Sequence, residues 1–278
     1  MKLITMLLVC ALCIPAHAAR RTKRDPPPAI EHSILVLNKS TNQYIFQQNS
    51  DKVRSIASIT KLMTAIVVLD QLPDPATTIK LPVPYMGRKD YTVTELLQLL
   101  LVRSDNHVAE ILSKNFLGTR AKFIEAMNTK AASLGMTSAA FTDPSGLDNG
   151  NLATAGDVAK LILASGTYPD IRAASSVPSM ALTTKLGKRT QLVNLNNTNK
   201  TILDEFGNIV VSKTGTTNSA GKCLALLIEQ HGQQYAVVIM GETSNLTRDR
   251  EARYLIRNHL TIPITITSNL TNDFNLYP

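Results

Sequence analysis

Two hydrophobic periods alternate along the chain, and the switches between them mark out its parts. Ser33 to Leu37 is an apolar run, Asn38 to Asn42 is turn chemistry, and Gln43 to Gln47 carries Tyr44, Ile45 and Phe46. Two such runs across a short polar turn predict a β-hairpin. Ser58 to Leu72 reads as a helix in which Leu62, Met63, Ala65, Ile66, Val67, Val68 and Leu69 leave hardly any polar face. A helix apolar all round belongs at the centre of a domain. Pro73 and Pro75 end it.

A mainly helical middle follows. Thr92 with Glu95 three residues on is a capping-box pattern, opening a helix through Leu96, Leu97, Leu99, Leu100 and Leu101. Further helices are predicted over about Asn106 to Phe116, from Arg120 to a stop at Gly135, and from Thr154 with Asp157 to Ser165-Gly166. The last third returns to strands: Ile209 to Lys213, Cys223 to Ile228, a His231-Gly232 turn, and Tyr235 to Met240. Arg248 to Leu260 is a closing helix. Hairpin, helices, three strands and a helix predict an α/β fold, an antiparallel sheet flanked by helices with an inserted all-helical lobe. A cleft between the lobes is the natural place for a site.

The ends change the picture of where the protein works. Met1-Lys2, an apolar run from Leu3 to Ile14, Pro15 and Ala16-His17-Ala18 form a cleavable export signal over residues 1–18. That run is too short to span a bilayer, which takes roughly 20 residues. A basic, proline-rich leader follows over 19–29, then a folded domain over 30–262 and a polar tail over 263–278. Export predicts a periplasmic protein with no integral membrane segment. The formal charge of +8 would permit a nucleic-acid partner, but export and the scarcity of aromatics (5%, no Trp) argue against one. Removal of the signal takes Cys10 and Cys13 with it, leaving Cys223 as a small core residue with nothing to pair with. Histidines 32, 107, 231 and 259 are scattered without metal-ligand spacing, so neither metal nor cofactor is expected.

Chemistry enters through three short elements in chain order: Ser58-Ile59-Thr60-Lys61, Ser104-Asp105-Asn106 and Lys213-Thr214-Gly215. Each is weak alone. Ser-x-x-Lys recurs at Ser219-Ala220-Gly221-Lys222 and Ser-x-Asn at Ser40-Thr41-Asn42. Context separates the copies. Ser58 opens a buried helix, which places Lys61 on the same face and the serine N–H at a positive helix terminus. Ser219 approaches a strand, where residues three apart point to opposite faces, and Ser40 lies in a hairpin turn.

These elements, with Ile56 to Ala65, Ala131-Ala132-Ser133-Leu134-Gly135-Met136, Asp143-Pro144-Ser145-Gly146-Leu147 and Lys213 to Gly221, resemble the serine penicillin-recognising enzymes. The likeness is to the low-molecular-mass D-alanyl-D-alanine peptidases, above all the short, soluble endopeptidases, and runs from about Ile30 to Leu260. It implies a two-lobed fold and activity on peptidoglycan stem peptides, with β-lactams as covalent inhibitors. It implies that Ser58 is the nucleophile, Lys61 its base, and Ser104 the relay to the leaving amine. Asn106 would orient the peptide, and Ser58 and Thr216 N–H groups would form the oxyanion hole. Lys213, Thr214 and Arg250 would grip a terminal carboxylate, with Arg248 a nearby rival. A base lysine must be neutral, and burial and a nearby Lys213 charge are the means available.

Two other readings compete. A β-lactamase of class A needs a glutamate after the Ser-x-Asn element to activate the deacylating water, and none occurs between Glu125 and Glu205. A non-catalytic penicillin-binding sensor would have no need of all three elements intact.

Overall fold

A computed structural model describes residues 32–72, 74–186 and 189–260. The export signal (1–18), the leader (19–29) and the tail (263–278) lie outside the described residues. The hairpin forms as β1 (Ser33–Asn38) and β2 (Gln43–Gln48), followed by the short β3 (Arg54–Ser55). A 3-10 turn, Ala57–Ile59, leads into α1 (Thr60–Gln71). A second hairpin, β4 (Thr78–Tyr85) and β5 (Arg88–Thr92), precedes α2 (Val93–Leu101), α3 (Asn106–Asn115) and α4 (Arg120–Ser133). After β6 (Leu152–Ala153) come α5 (Ala155–Ser165), α6 (Pro169–Ser175) and a third hairpin, β7 (Ser179–Leu186) with β8 (Arg189–Asn196). The described residues end with α7 (Lys200–Glu205), β9 (Ile209–Thr217), β10 (Gly221–Gln230), β11 (Gln233–Glu242) and α8 (Asn245–His259).

The main sheet has five strands in the order β2-β1-β11-β10-β9, with antiparallel neighbours throughout. Its central strands are apolar without a break because both faces are covered. Leu35, Leu37, Ala225, Leu227, Ala236 and Val238 point into a large core shared with α1 to α6. Their neighbours Ile34, Val36, Leu224, Leu226, Val237 and Ile239 point into a smaller core with α7 and α8. The strand period of two thus divides one run of residues between two cores. α1 stands inside the large core, with Thr60 to Val68 all buried.

Several elements differ from expectation. β9 continues through Thr217, so Lys213 lies mid-strand rather than at its end. α8 begins at Asn245, where the Ser244 hydroxyl accepts from Thr247 N at 3.0 Å and caps it. The β4–β5 and β7–β8 hairpins were not foreseen: Pro82 and Pro84 interrupt the first pattern, and the second is largely exposed and carries little apolar signal. The two hairpins touch. Lys185 N donates to the Met86 carbonyl at 3.3 Å, and Arg88 Nη1 to the Thr183 carbonyl at 2.7 Å.

Candidate active site

Three separate elements deliver side chains to one cleft. The first is the 3-10 turn ahead of α1. Ala57 adopts φ +47°, a left-handed conformation costly for a residue with a Cβ, and turns the chain so that Ser58 faces outward while Ile56, Ala57 and Ile59 stay buried. One helical turn on, Lys61 is fully buried.

The second element is the α2–α3 loop. Ser104 is also left-handed, φ +60°. Asp105 caps α3 by accepting from His107 N and Val108 N at 2.9 and 3.1 Å, and the Tyr85 hydroxyl donates to the same carboxylate. The loop is thereby held in the shape that brings Asn106 to Lys61. The third element is the edge strand β9. Gly215 lies against the nucleophile turn: a Cβ there would sit 2.8 Å from Ile56 O and 3.2 Å from Ser58 N. Only a residue without a side chain lets the strand come this close.

The contacts at Lys61 decide what the site can do. Its Nζ lies 2.8 Å from Ser58 Oγ, 2.7 Å from Asn106 Oδ1 and 2.6 Å from the Ser145 carbonyl. Asn106 Oδ1 and a carbonyl oxygen can only accept, so they take N–H groups from the amine. Ser58, whose hydroxyl can also donate, occupies the remaining position. A neutral Lys61 therefore has its lone pair directed at the serine proton. Burial lowers the Lys61 pKa from its ordinary 10.5 to about 7, with Asp143 and then Asp105 opposing the shift. That displacement is about 5 kcal/mol of preference for the neutral amine. Burial alone is the leading cause; the repulsion expected from Lys213 falls on Lys213 itself.

Lys213 is buried, and its Nζ donates to Ser104 Oγ at 2.8 Å and to the Thr214 carbonyl at 2.9 Å. Burial pushes its pKa well down, helped by the like charges of Lys61 and Arg248. Ser58, Ser104, Thr198, Thr214, Gly215, Thr216, Asn245 and Arg248 line a single cavity of ≈330 Å³. The Thr214 hydroxyl donates to Thr198 Oγ1 at 2.7 Å.

One expected residue is elsewhere. Arg250 is exposed on α8 and does not line this cavity, whereas Arg248 does and is only 4% exposed. Asp249 accepts from Arg248 Nε and Nη2 at 2.9 and 2.6 Å and fixes its guanidinium. A helical face explains the difference: Arg248, Ala252, Leu255 and Ile256 follow the i, i+4, i+7, i+8 spacing of the buried side, and Arg250 falls opposite. Thr198, Asn245, Asp143 and Ser145 were not assigned roles from sequence. The last two lie in the Asp-Pro-Ser-Gly-Leu stretch, whose likeness was the only signal.

The duplicate motifs are elsewhere too. Ser219 sits in the exposed β9–β10 turn, 2.5 Å from Asn149 Oδ1, and Ser40 in the β1–β2 turn. Burial raises the Cys223 thiol to about 11, so it is inert. A larger cavity of ≈570 Å³ between α1 and α4 includes Asp70 and Lys130, but these pair at 2.8 Å and offer no base. Among the described residues no cluster of metal-ligating side chains occurs, and no helix is long and apolar enough to cross a membrane.

Comparison with known proteins gives one family. The sequence model of the S11 peptidases, described as D-alanyl-D-alanine carboxypeptidase, matches residues 21–84 and 77–244. A D-alanyl-D-alanine endopeptidase of Escherichia coli (strain K12) is 34% identical over 251 residues, covering 86% of this chain and 80% of that protein. A D-alanyl-D-alanine endopeptidase of Pseudomonas aeruginosa is 32% identical over 271 residues, 92% of this chain and 87% of that one. The crystal structure of penicillin-binding protein D2 from Listeria monocytogenes, in its cefotaxime-bound form, superposes with TM-score 0.70. It is 26% identical and covers 84% of this chain and 98% of that one.

Proposed function

The chain belongs to the D-alanyl-D-alanine carboxypeptidase family of peptidases, and from that premise we propose the following reaction. It hydrolyses the peptide bond after a D-alanine in peptidoglycan stem peptides through an ester on Ser58. The observation that carries the reading is the Lys61 amine, buried, depressed to about 7 and placed 2.8 Å from Ser58 Oγ by two acceptor-only partners.

Neutral Lys61 takes the serine proton as Ser58 Oγ attacks the D-alanine carbonyl. The oxyanion that forms is received by the backbone N–H groups of Ser58 and Thr216; a donor of this kind is worth about 3–4 kcal/mol in such reactions. Ser104, its oxygen already accepting from Lys213, acts as a relay: it gives its own proton to the leaving amine and takes one from the Lys61 ammonium, which leaves Lys61 neutral for the second step. Asn106 orients the peptide through its side-chain amide. The Thr214 hydroxyl and the Arg248 guanidinium, fixed by Asp249, line the end of the cleft that meets the substrate carboxylate, with the buried Lys213 amine behind them on Ser104 and the Thr214 carbonyl. Water then attacks the ester, with Lys61 again as base.

The relatives' names favour the endopeptidase, which cuts D-alanyl–diaminopimelate cross-links, over release of a terminal D-alanine. The export signal read from the sequence puts this work in the periplasm. β-Lactams, which carry an acylating carbonyl beside a carboxylate, are proposed as covalent inhibitors. The absence of any glutamate between Glu125 and Glu205 weighs against β-lactam hydrolysis as the true activity. Digestion of purified cross-linked and uncross-linked muropeptides, followed by mass, tests the reading. Conversion of dimers to monomers is expected, loss of D-alanine alone would make the enzyme a carboxypeptidase, and no change in either would overturn the proposal.

A further inference from the structure

The Asp143-Pro144-Ser145-Gly146-Leu147 stretch takes no direct part in the reaction above, yet it is more heavily bonded than the catalytic elements. The Asp143 carboxylate is buried and accepts five hydrogen bonds. Oδ1 takes Gly146 N at 2.7 Å and Asn151 Nδ2 at 2.6 Å, and Oδ2 takes Ser145 Oγ at 2.8 Å, Leu147 N at 3.2 Å and Asp148 N at 3.3 Å. Four of the five come from the next five residues, so the loop is wound around the carboxylate. It is also fastened to the nucleophile helix: Asn151 Nδ2 donates to Thr60 Oγ1 at 3.0 Å, and Thr64 Oγ1 to the Pro144 carbonyl at 2.6 Å. The product of this winding is one carbonyl, that of Ser145, aimed at Lys61 Nζ from 2.6 Å.

We propose that Asp143 is a positioning residue for Lys61. It holds the Ser145 carbonyl where it takes one N–H of the amine and leaves the lone pair on Ser58 Oγ, and its negative charge faces the amine from behind. The proposal rests on Lys61 being the base. Two anionic groups, Asp143 on this loop and Asp105 at the start of α3, favour the ammonium; Lys213 on β9 is the other amine facing the site, and the repulsion between the two lowers the Lys213 pKa. Asp143 in turn is faced by Arg120 on α4, with Asp148 on its own loop nearby.

The sign of the effect follows. A nearby carboxylate favours the charged amine and raises its proton affinity. Removing that charge lowers the Lys61 pKa, so the amine becomes neutral, and competent, at lower pH. It also becomes a weaker base, so the plateau falls. A purely structural residue would lower the plateau and the melting temperature without moving the limb.

The test is the second-order rate of acylation by benzylpenicillin between pH 5 and 9, with melting curves, for the wild type, Asp143→Asn and Ser145→Ala. A wild type whose rate shows no acid limb overturns the Lys61 reading itself. Given that limb, a folded Asp143→Asn should shift it to lower pH and lose roughly tenfold or more in plateau rate, since misplacing reacting groups by about 1 Å costs on the order of a hundredfold. A limb that stays, or moves to higher pH, overturns the proposal. Ser145→Ala removes one bond to the carboxylate and leaves the charge. It should lower the plateau with the limb unmoved. If Asp143→Asn does not fold, Ser145→Ala decides: acylation at the wild-type rate overturns the positioning role.

Discussion

Gly146→Ala is a one-carbon change beside the reaction. Gly146 has φ +81°, and a Cβ built there would lie 1.9 Å from the Ala57 carbonyl oxygen, 2.3 Å from its carbon and 2.9 Å from Ser58 N. Ordinary contact starts near 3.4 Å, so something must move by about 1.5 Å (3.4 − 1.9). The obstacle is backbone on both sides. One side is the loop wound on Asp143, and the other is the turn that presents Ser58. Left-handed alanine costs about 1–2 kcal/mol and overpacking about 1–3 more. A total of ~2–5 kcal/mol corresponds to a melting temperature lower by roughly 4–20 °C in a chain of this size. The larger effect is on chemistry. Whichever side yields, either Ser58 Oγ or the Ser145 carbonyl leaves Lys61, and a displacement near 1 Å costs on the order of a hundredfold. Gly118→Ala is the control: φ is +77° there, but no atom lies within 4 Å of its Cβ. It should lose about 1–2 kcal/mol of stability and keep its acylation rate. The assay is the rate of penicillin acylation by mass, with both variants shown folded by melting curves. Gly146→Ala acylating as fast as Gly118→Ala would refute the packing argument.

Three further outcomes are expected. Ser58→Ala should abolish covalent penicillin labelling, and Ser219→Ala, in the exposed copy of the motif, should leave it intact; intact-mass measurement reads both. Arg248→Gln should lower kcat/KM for a carboxylate-bearing substrate roughly 10–100-fold, as loss of a charged hydrogen bond of ~1.5–3 kcal/mol does, while Arg250→Gln leaves it unchanged; equal effects would remove Arg248 from the cleft's recognition end. Hydrolysis of a chromogenic cephalosporin should stop after about one equivalent, because no glutamate stands between residues 125 and 205 to drive deacylation; sustained fast turnover contradicts it.

What could be read from the chain and what could not divide along physical lines. The β1–β2 hairpin, α1, the capped starts of α2 and α5, and the central strands were legible because burial writes strong patterns: unbroken apolar runs, capping boxes, prolines. The juxtaposition of Ser58 and Lys61 was legible because three residues along a buried helix fix their relation. β4–β5 and β7–β8 were not, since exposed hairpins carry prolines, threonines and charges in place of an apolar stripe. Asp143 escaped for another reason. Its place rests on five hydrogen bonds, three from backbone N–H groups and one from the Ser145 hydroxyl of its own loop, and such bonds leave no periodic trace. Between Arg250 and its rival Arg248, the helical period could have decided which one faces the cleft. The spacing of Ala252, Leu255 and Ile256 already marked which arginine shares the buried face.

The division of the sheet between two cores sets the cleft on two foundations joined by shared strands. Ser58, Lys61, Ser104 and Asn106 stand on elements of the large core, whereas Arg248 belongs to α8, whose Ala252, Leu255 and Ile256 fill the small one. The two cores share β1, β9, β10 and β11, but loosening of the small one should reach Arg248 before it reaches Ser58 and Lys61. A chain whose α8 has peeled away would keep Ser58 beside Lys61 but would have lost the guanidinium that lines the cleft. Damage to the small core should accordingly be felt first as loss of discrimination and only later as loss of reactivity. For a hydrolase working in a polymer that holds the cell together, the docking of α8 would then act as a safety catch on fidelity.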